Sequence, residues 1–266
     1  MMQRRIPSRR AFCACCAGLA AWPLMAAAAP AQDADGLPQA LELGVAQMRR
    51  IDKTVWVAPL AQGAWLYTAT ALIEPGIYYP ANGLVLERDG GSLLIDTAWS
   101  PEQAESLLAW SKEALPHPIT QAVATHFHKD RIGGILGLRR SGIATLAHPL
   151  TCELARSRGV AAPEPIHGFV ESWRLGEDCE LYFPGAGHSW DNIAVWLAAP
   201  AILYGGCFLK SATSRDLGNL QDADVGEWRA SLTRTAARFA QARLTIPGHG
   251  AIAGDPVGHT LALLPA

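Results

Sequence analysis

Residues 122–131 read Ala-Val-Ala-Thr-His-Phe-His-Lys-Asp-Arg, so an apolar run leads directly into two histidines and an aspartate. The run predicts a short buried strand, and the polar residues after it belong to the turn at its end. His126, His128 and Asp130 offer imidazole nitrogens and a carboxylate, donors that suit zinc. On its own this pattern does not decide for a metal, because neighbouring histidines also occur on ordinary surface loops.

Three later segments repeat the arrangement of an apolar run, glycine and one good zinc ligand. They are Gly-Ala-Gly-His at 185–188, Gly-Gly-Cys at 205–207 and Pro-Gly-His-Gly at 247–250, which contribute His188, Cys207 and His249. Loops at the ends of strands commonly meet at one edge of a sheet. We therefore expect all six side chains to meet in one metal site, rather than to be scattered over the surface.

The rest of the chain predicts two successive halves of strands and helices. Ser100, with Pro101 after it, predicts the start of a helix to about Ala114. Further helices are expected at 134–140 and 224–242. Strands are expected at 55–57, 64–70, 84–86, 93–95, 119–125, 181–183, 193–197, 202–204 and 244–246.

Composition excludes some classes of function. The chain has 266 residues, of which 50% are hydrophobic and 17% are charged, so a sizeable core is available to one domain. The formal net charge of -2 offers no electrostatic surface for nucleic acid. We expect a monomer that binds a small molecule.

The N-terminal segment has the pattern of an export signal. Arginines at positions 4, 5, 9 and 10 precede an apolar stretch over 11–29, and Ala29-Pro30-Ala31 is a small-x-small cleavage pattern. Residues 8–12, Ser-Arg-Arg-Ala-Phe, resemble a twin-arginine signal. We therefore expect 1–31 to be cleaved and 32–266 to form a single periplasmic domain free of the membrane. The alternative is a retained membrane anchor.

Three cysteines remain after that cleavage. Cys152, Cys179 and Cys207 are an odd number for an oxidising compartment, so one of them is left for another role. Cys207 suits that role because zinc binds thiolate. The other two could form a disulfide or remain ordinary buried cysteines, and the sequence leaves both open.

Together, these segments resemble the class B, or metallo, β-lactamases of the first, broad-spectrum subclass. The resemblance extends from about Val55 to Leu264. The matching segments are LIDT at 94–97, HFHKDRIGG at 126–134, GHSWDN at 187–192, GGCFLK at 205–210, LGNL at 217–220 and PGHG at 247–250. The resemblance implies an αββα sandwich, an α/β fold, with two zinc ions at its edge. The first zinc would bind His126, His128 and His188, and the second Asp130, Cys207 and His249.

The resemblance also implies an activity. A zinc-bound hydroxide would hydrolyse the amide bond of penicillins, cephalosporins and carbapenems, which gives antibiotic resistance, and Asp130 would orient that hydroxide. Lys210 resembles the residue that anchors the substrate carboxylate; the alternative is a solvated surface lysine. Asn219 resembles a residue that reaches toward the lactam, and the alternative is a turn asparagine.

Two further features are suggested by position in the resemblance. Asp96 and Arg131 would lie beneath Cys207 and orient it, or form an ordinary ion pair. Residues 71–79 resemble a mobile hairpin that covers the substrate. The alternative for this segment is a plain connection whose apolar residues pack on the core.

Two other functions compete with this one. Other hydrolases of the fold, acting on thioesters or lactones, usually carry HxHxDH and an aspartate in place of the cysteine. Here those positions hold Arg131 and Cys207. A non-catalytic exported zinc protein would close each coordination sphere with four protein ligands, whereas each group here has three. The carbapenem-selective mono-zinc subclass has asparagine where this chain has His126.

Overall fold

The computed structural model describes residues 48–61, 63–74 and 77–265. These residues all belong to one compact unit, Gln32–Ala266. The export signal predicted for residues 1–31 lies outside the described residues. No helix in the described ranges is both long and apolar enough to cross a membrane.

The first sheet has eight strands that neighbour one another in chain order. Its first five strands pair antiparallel, and the pairs from β5 to β8 are parallel. The strands are β1 (Arg49–Asp52), β2 (Val55–Ala61), β3 (Ala64–Glu74), β4 (Ile77–Leu86), β5 (Ser92–Ile95), β6 (Ile119–Ala124), β7 (Thr145–Ala147) and β8 (Glu164–Pro165).

The second sheet has five strands in the order β13-β12-β11-β10-β9. All its pairs are antiparallel except β12 with β13. The strands are β9 (Ser172–Leu175), β10 (Cys179–Tyr182), β11 (Ala194–Leu197), β12 (Ile202–Gly206) and β13 (Leu244–Pro247).

Helices lie on the outer faces of both sheets. They are α1 (Pro101–Ala114), α2 (Lys129–Ile132), α3 (Ile135–Arg140), α4 (Pro149–Ser157), α5 (Val225–Arg238) and α6 (Pro256–Leu263). Helix α1 begins as predicted, because the Ser100 side chain accepts a hydrogen bond from the Gln103 amide. Its Leu107 and Leu108 pack on the outer face of the first sheet. On the outer face of the second sheet, Phe239 at the end of α5 packs against Trp196.

The alternation of side chains along single strands produces the layers. Leu84 and Leu86 face the core between the two sheets, whereas Val85 between them faces α1. The core between the sheets joins such residues to Val195 and Ile246 of the second sheet. The arrangement is helix, sheet, sheet, helix, so the predicted α/β sandwich is confirmed.

The hairpin of β3 and β4 is longer than the sequence predicts. Strand β3 continues to Glu74 rather than ending near residue 70, and β4 begins at Ile77 rather than at 84. Pairing continues past Leu72 opposite Tyr78 to Glu74 opposite Ile77, beyond the edge of the core. Leu72 is 56% exposed and Ile73 is 52% exposed. The alternative that the apolar residues of 71–79 pack on the core is therefore wrong.

Helix α5 is shorter than the sequence predicts. Helix α5 ends at Arg238 rather than 242, because Phe239 leaves the helical conformation at a φ of -114° and ψ of 38°.

Cys152 and Cys179 are both free and buried, so the structure forms no disulfide between them. Burial raises the pKa of Cys152 to about 11 and that of Cys179 to about 12, which keeps both thiols protonated at neutral pH.

Candidate metal centre

The six predicted metal-binding side chains meet at one edge of the sandwich. His126 and His128 follow β6, and Asp130 lies in the first turn of α2. The other three follow strands of the second half or lie between them: His188 between β10 and β11, Cys207 after β12 and His249 after β13.

Three imidazoles form the first group. His128 Nδ1 lies 3.1 Å from His126 Nε2 and 3.2 Å from His188 Nε2. Ligands of one tetrahedral zinc, at about 2.0–2.1 Å from the ion, stand about 3.3 Å apart. The group therefore has the spacing that one zinc ion requires.

Two of these imidazoles, those of His126 and His188, are neutral, as metal ligands must be. Burial, followed by the neighbouring histidines, holds the pKa of His126 well below its ordinary value. Burial also lowers the pKa of His188 well below its usual range, and Lys210 adds to this effect. A neutral imidazole has a lone pair available for a cation.

Asp130, Cys207 and His249 form the second group. Cys207 Sγ lies 3.3 Å from Asp130 Oδ2 and 3.0 Å from His249 Nε2. His249 Nε2 is 3.1 Å from Asp130 Oδ2. The ligand atoms of His126, Asp130 and Cys207 also lie within 4.8 Å of one another, so the two groups adjoin.

The second group combines an ionised carboxylate with a protonated thiol. Burial alone would raise the pKa of Asp130, but Arg131 and His249 hold it well below its ordinary value. Burial raises the pKa of Cys207, with Asp130 adding to the shift against an opposing Arg131. A metal ion would release that proton, because thiolate is the form that binds metal.

Hydrogen bonds behind the rings select the tautomers that the two groups need. His249 Nδ1 lies 2.7 Å from the carbonyl oxygen of Pro80, which can only accept, so Nδ1 carries the proton. The lone pair of His249 is then on Nε2, which faces Cys207 and Asp130. In the same way His128 Nε2 donates to Asp222 Oδ2 at 3.0 Å, leaving its Nδ1 lone pair toward the other histidines.

Arg131 and Asp96 form a fully buried ion pair beneath the second group. Arg131 Nη2 lies 3.1 Å from Cys207 Sγ and 2.8 Å from Asp130 Oδ2. Its Nη1 donates to Asp96 Oδ2 at 3.1 Å and to Tyr204 Oη at 2.7 Å. The guanidinium therefore holds two of the donors in place while Asp96 balances its charge.

Local backbone features allow this close packing. Asp96 has a φ of 64°, a left-handed conformation that L-residues other than asparagine and aspartate rarely adopt. Its side chain is held by the amide and the hydroxyl of Thr125, at 2.8 and 2.9 Å. A Cβ on Gly248 would lie 2.6 Å from the Cys207 amide nitrogen and 2.7 Å from Arg131 Nη2. Only glycine fits beside the guanidinium.

A cavity of about 720 Å³ lies above both groups. Lys210 and Asn219 line it, as do Tyr79 and Trp99, whose rings lie 4.8 and 6.4 Å from the His249 ring. Lys210 is only 9% exposed, so it is not a solvated surface lysine. Burial lowers its pKa, although Cys207 and Asp130 oppose the shift.

Asn219 is at the cavity wall and also has the contact of a turn residue. Its Oδ1 accepts a hydrogen bond from the Gln221 amide at 3.0 Å. Asp222 and Arg158 line the same cavity and were not predicted from the sequence. Asp222 lies 94 positions from His128, and no spacing in the sequence connects the two.

The sequence model of a protein family described as the metallo-beta-lactamase superfamily matches residues 77–260. The chain belongs to this superfamily. Among curated relatives, a metallo-beta-lactamase type 2 of Bacteroides fragilis is 35% identical over 215 residues, covering 79% of this chain and 86% of the relative. One from Bacillus cereus is 37% identical over 214 residues, covering 79% and 83%.

Solved structures of metallo-beta-lactamases share the fold. The enzyme FIM-1 from Pseudomonas aeruginosa, in a mono-zinc form, has a TM-score of 0.76 at 36% identity and covers 80% of this chain and 96% of its own. A metallo-beta-lactamase from Erythrobacter litoralis also has a TM-score of 0.76 at 36% identity, covering 82% and 98%. The predicted resemblance is confirmed at the level of the family.

The metallo-beta-lactamase family implies zinc, and the donors described above fit that ion. Nitrogen, carboxylate oxygen and sulfur are the three ligand types that zinc accepts. Magnesium and calcium prefer oxygen ligands, so neither group suits them. The donor chemistry and the spacing therefore agree with the family.

Proposed function

We propose that this protein hydrolyses the amide bond of β-lactam antibiotics and thereby gives resistance to them. The observation that carries this proposal is the pair of adjoining three-donor groups beside a cavity lined by Lys210. The relatives' names support it: chains 35% and 37% identical to this one are metallo-beta-lactamases. Penicillins, cephalosporins and carbapenems all belong to the proposed range.

The proposal includes two zinc ions for each chain. His126, His128 and His188 would hold one, and Asp130, Cys207 and His249 the other. When bound, zinc polarises a carbonyl group and lowers the pKa of water to about 7, so that water becomes nucleophilic at neutral pH. Three protein ligands in each group leave room for water and substrate, as catalytic zinc sites require.

Asp130 is the proposed catalytic residue. Its carboxylate stays ionised beside Arg131 and can accept a hydrogen bond from the attacking water. The oxygen of that water bonds to the lactam carbonyl carbon, the C–N bond opens, and a proton passes to the ring nitrogen. The chemistry needs no serine or cysteine nucleophile.

Lys210 and Asn219 are the proposed substrate-binding residues. β-Lactams carry a carboxylate beside the ring nitrogen, and the Lys210 ammonium would pair with it as a point charge. Few waters surround a lysine that is 9% exposed, which strengthens such a pair. Asn219 would donate from its amide nitrogen, since its Oδ1 already accepts from Gln221.

Zinc removal tests the proposal. The full chain is dialysed against a chelator, and hydrolysis of nitrocefin, one penicillin and one carbapenem is measured as zinc is returned. We expect hydrolysis to disappear and then to recover over the first two equivalents of zinc. Hydrolysis that survives chelation excludes the proposed mechanism, and a zinc-loaded protein that cleaves thioesters or lactones instead identifies another hydrolase of the fold.

We also propose that residues 1–31 are a cleaved export signal and that 32–266 acts in the periplasm as a monomeric domain. The arginines and the apolar stretch near the N-terminus support this part of the proposal.

A further inference from the structure

Arg158 connects α4 to the loop that precedes α5. It is the C-cap residue of α4, and its Nη2 donates a hydrogen bond to Asp222 Oδ1. Its guanidinium carbon also lies 5.4 Å from the centre of the Phe127 ring. The Asp222 side chain is 12% exposed and that of Arg158 is 37% exposed, so the carboxylate is more deeply buried than the guanidinium that binds it.

The second oxygen of Asp222 points in the opposite direction, to the first metal group. Asp222 Oδ2 lies 3.0 Å from His128 Nε2, and His128 Nδ1 faces His126 and His188. A continuous path of two polar contacts therefore leads from Arg158 to the three imidazoles.

Asp222 needs such support because of where it lies. It is part of a turn between Leu217 and α5 rather than a helix or strand, so regular backbone hydrogen bonds do not hold it. A carboxylate with one oxygen bound by a guanidinium has a fixed rotamer, and the direction of its other oxygen is then set. That oxygen selects the tautomer and the orientation of the His128 ring.

We infer that Arg158 is a positioning residue that acts through Asp222 on His128 and raises the affinity of the three-histidine group for zinc. This inference rests on the proposed zinc-dependent function. An alternative role, as a second anchor for substrate carboxylates, agrees less well with the structure. Arg158 lines the cavity as Lys210 does, but its charge is already paired with Asp222.

The test measures metal affinity rather than activity. Zinc affinity of the full chain is determined by competition with a chromogenic chelator for the wild type, Arg158→Gln and the control Arg156→Gln. Arg156 is also exposed on α4, so its loss changes the net charge equally. We expect the first-group affinity of Arg158→Gln to fall about tenfold and that of Arg156→Gln to stay unchanged.

Cobalt locates the effect within the centre. In the cobalt-substituted protein the thiolate-to-metal band reports Cys207, and the ligand-field bands report the geometry of each ion. Arg158→Gln should leave the Cys207 band at the wild-type position and intensity at saturating cobalt. Thermal unfolding of the metal-free variants separates a local change from a general loss of stability. Arg158→Lys keeps the charge and should have an affinity between those of the wild type and Arg158→Gln.

A double-mutant cycle decides whether Arg158 acts through Asp222. In an Asp222→Asn background, Arg158→Gln should cause no further loss of zinc affinity. An undiminished loss in that background overturns the inference, as does an Arg158→Gln protein that binds zinc like the control. A wild type that binds no zinc overturns the proposed function and this inference together. Wild-type zinc binding with an unaffected Arg158→Gln overturns this inference alone.

Discussion

Arg131 shows how much of the centre depends on one side chain. Its guanidinium is fully buried and lies within 3.1 Å of both Cys207 Sγ and Asp130 Oδ2. The same group pairs with Asp96, so the buried charge is compensated. A thioester or lactone hydrolase of this fold would usually have histidine at this position. Arg131 and Cys207 therefore act together in this centre, because the guanidinium contacts the cysteine sulfur directly.

The substrate-anchoring role of Lys210 can be tested by reversing its charge. We expect Lys210→Glu to raise KM for carboxylated β-lactams by roughly 10- to 100-fold, because a charged hydrogen bond is replaced by repulsion. Steady-state kinetics on zinc-loaded protein measure this change. Lys112→Glu, at an exposed position of α1, makes the same change in net charge and should leave KM unaltered.

Lys210→Gln should show a smaller loss in the same direction, since it removes the ammonium without adding a negative charge. If kcat and KM of Lys210→Glu stay at the wild-type values, Lys210 does not bind the substrate. Zinc content is measured for each variant, because Lys210 lies close to Cys207 and Asp130.

Among the described residues, four of the ten exposed large apolar side chains lie on the hairpin of β3 and β4. Leu72 and Ile73 are each more than half exposed, and Tyr78 is 41% exposed. Ile73 and Tyr79 line the cavity, so this surface faces the proposed substrate. Exposed apolar side chains at a cavity entrance often mark a binding site, because covering them with a ligand removes apolar surface from water.

We expect the amides of 71–74 and 77–79 to exchange rapidly in the free protein and slowly with a bound β-lactam product. Hydrogen exchange followed by mass spectrometry measures this, with the buried strand segment 84–86 as an internal reference. Exchange that is equally slow in both states would show that the hairpin is rigid and does not close over ligands.

Ile73→Ala tests whether the hairpin contributes contacts. It removes three carbon atoms from a half-exposed side chain, so we expect KM to rise about fivefold for substrates with apolar side chains. Leu136→Ala is a matched control, because Leu136 is 47% exposed on α3 and does not line the cavity. Equal KM values for the two variants would count against substrate contact at Ile73.

The proposed export would be a property of the whole molecule and would depend on its N-terminal arginines. We expect the mature protein to be recovered from the periplasm with an N-terminus near residue 32, as mass spectrometry would determine. Replacing Arg9 and Arg10 with lysine should leave the precursor in the cytoplasm. The same change at Arg4 and Arg5 preserves the twin arginines and should leave export intact. Equal export of both variants would argue against a twin-arginine signal.

The elements that the sequence predicted well are those with strong local patterns. The cap at Ser100 and the strand over the apolar run 84–86 depend on near neighbours, and the structure has both, although that strand begins earlier, at Ile77. The short strands β1 and β7 to β9 were not predicted. They have two to four residues each, too few to show a period, and they exist because a neighbouring strand pairs with them.

All six donors could be predicted from the sequence, because each lies close to glycine or to another donor in a segment that follows a strand. Such segments can be recognised from neighbouring residues alone, because a strand that ends is followed by a turn. The direction in which the lone pairs of His249 and His128 point depends instead on tertiary contacts. Pro80, 169 positions from His249, accepts its Nδ1 proton, and Asp222 does the same for His128 Nε2. Hydrogen bonds between such distant residues leave no periodicity in the chain, since they form only when the two sheets and their loops have packed.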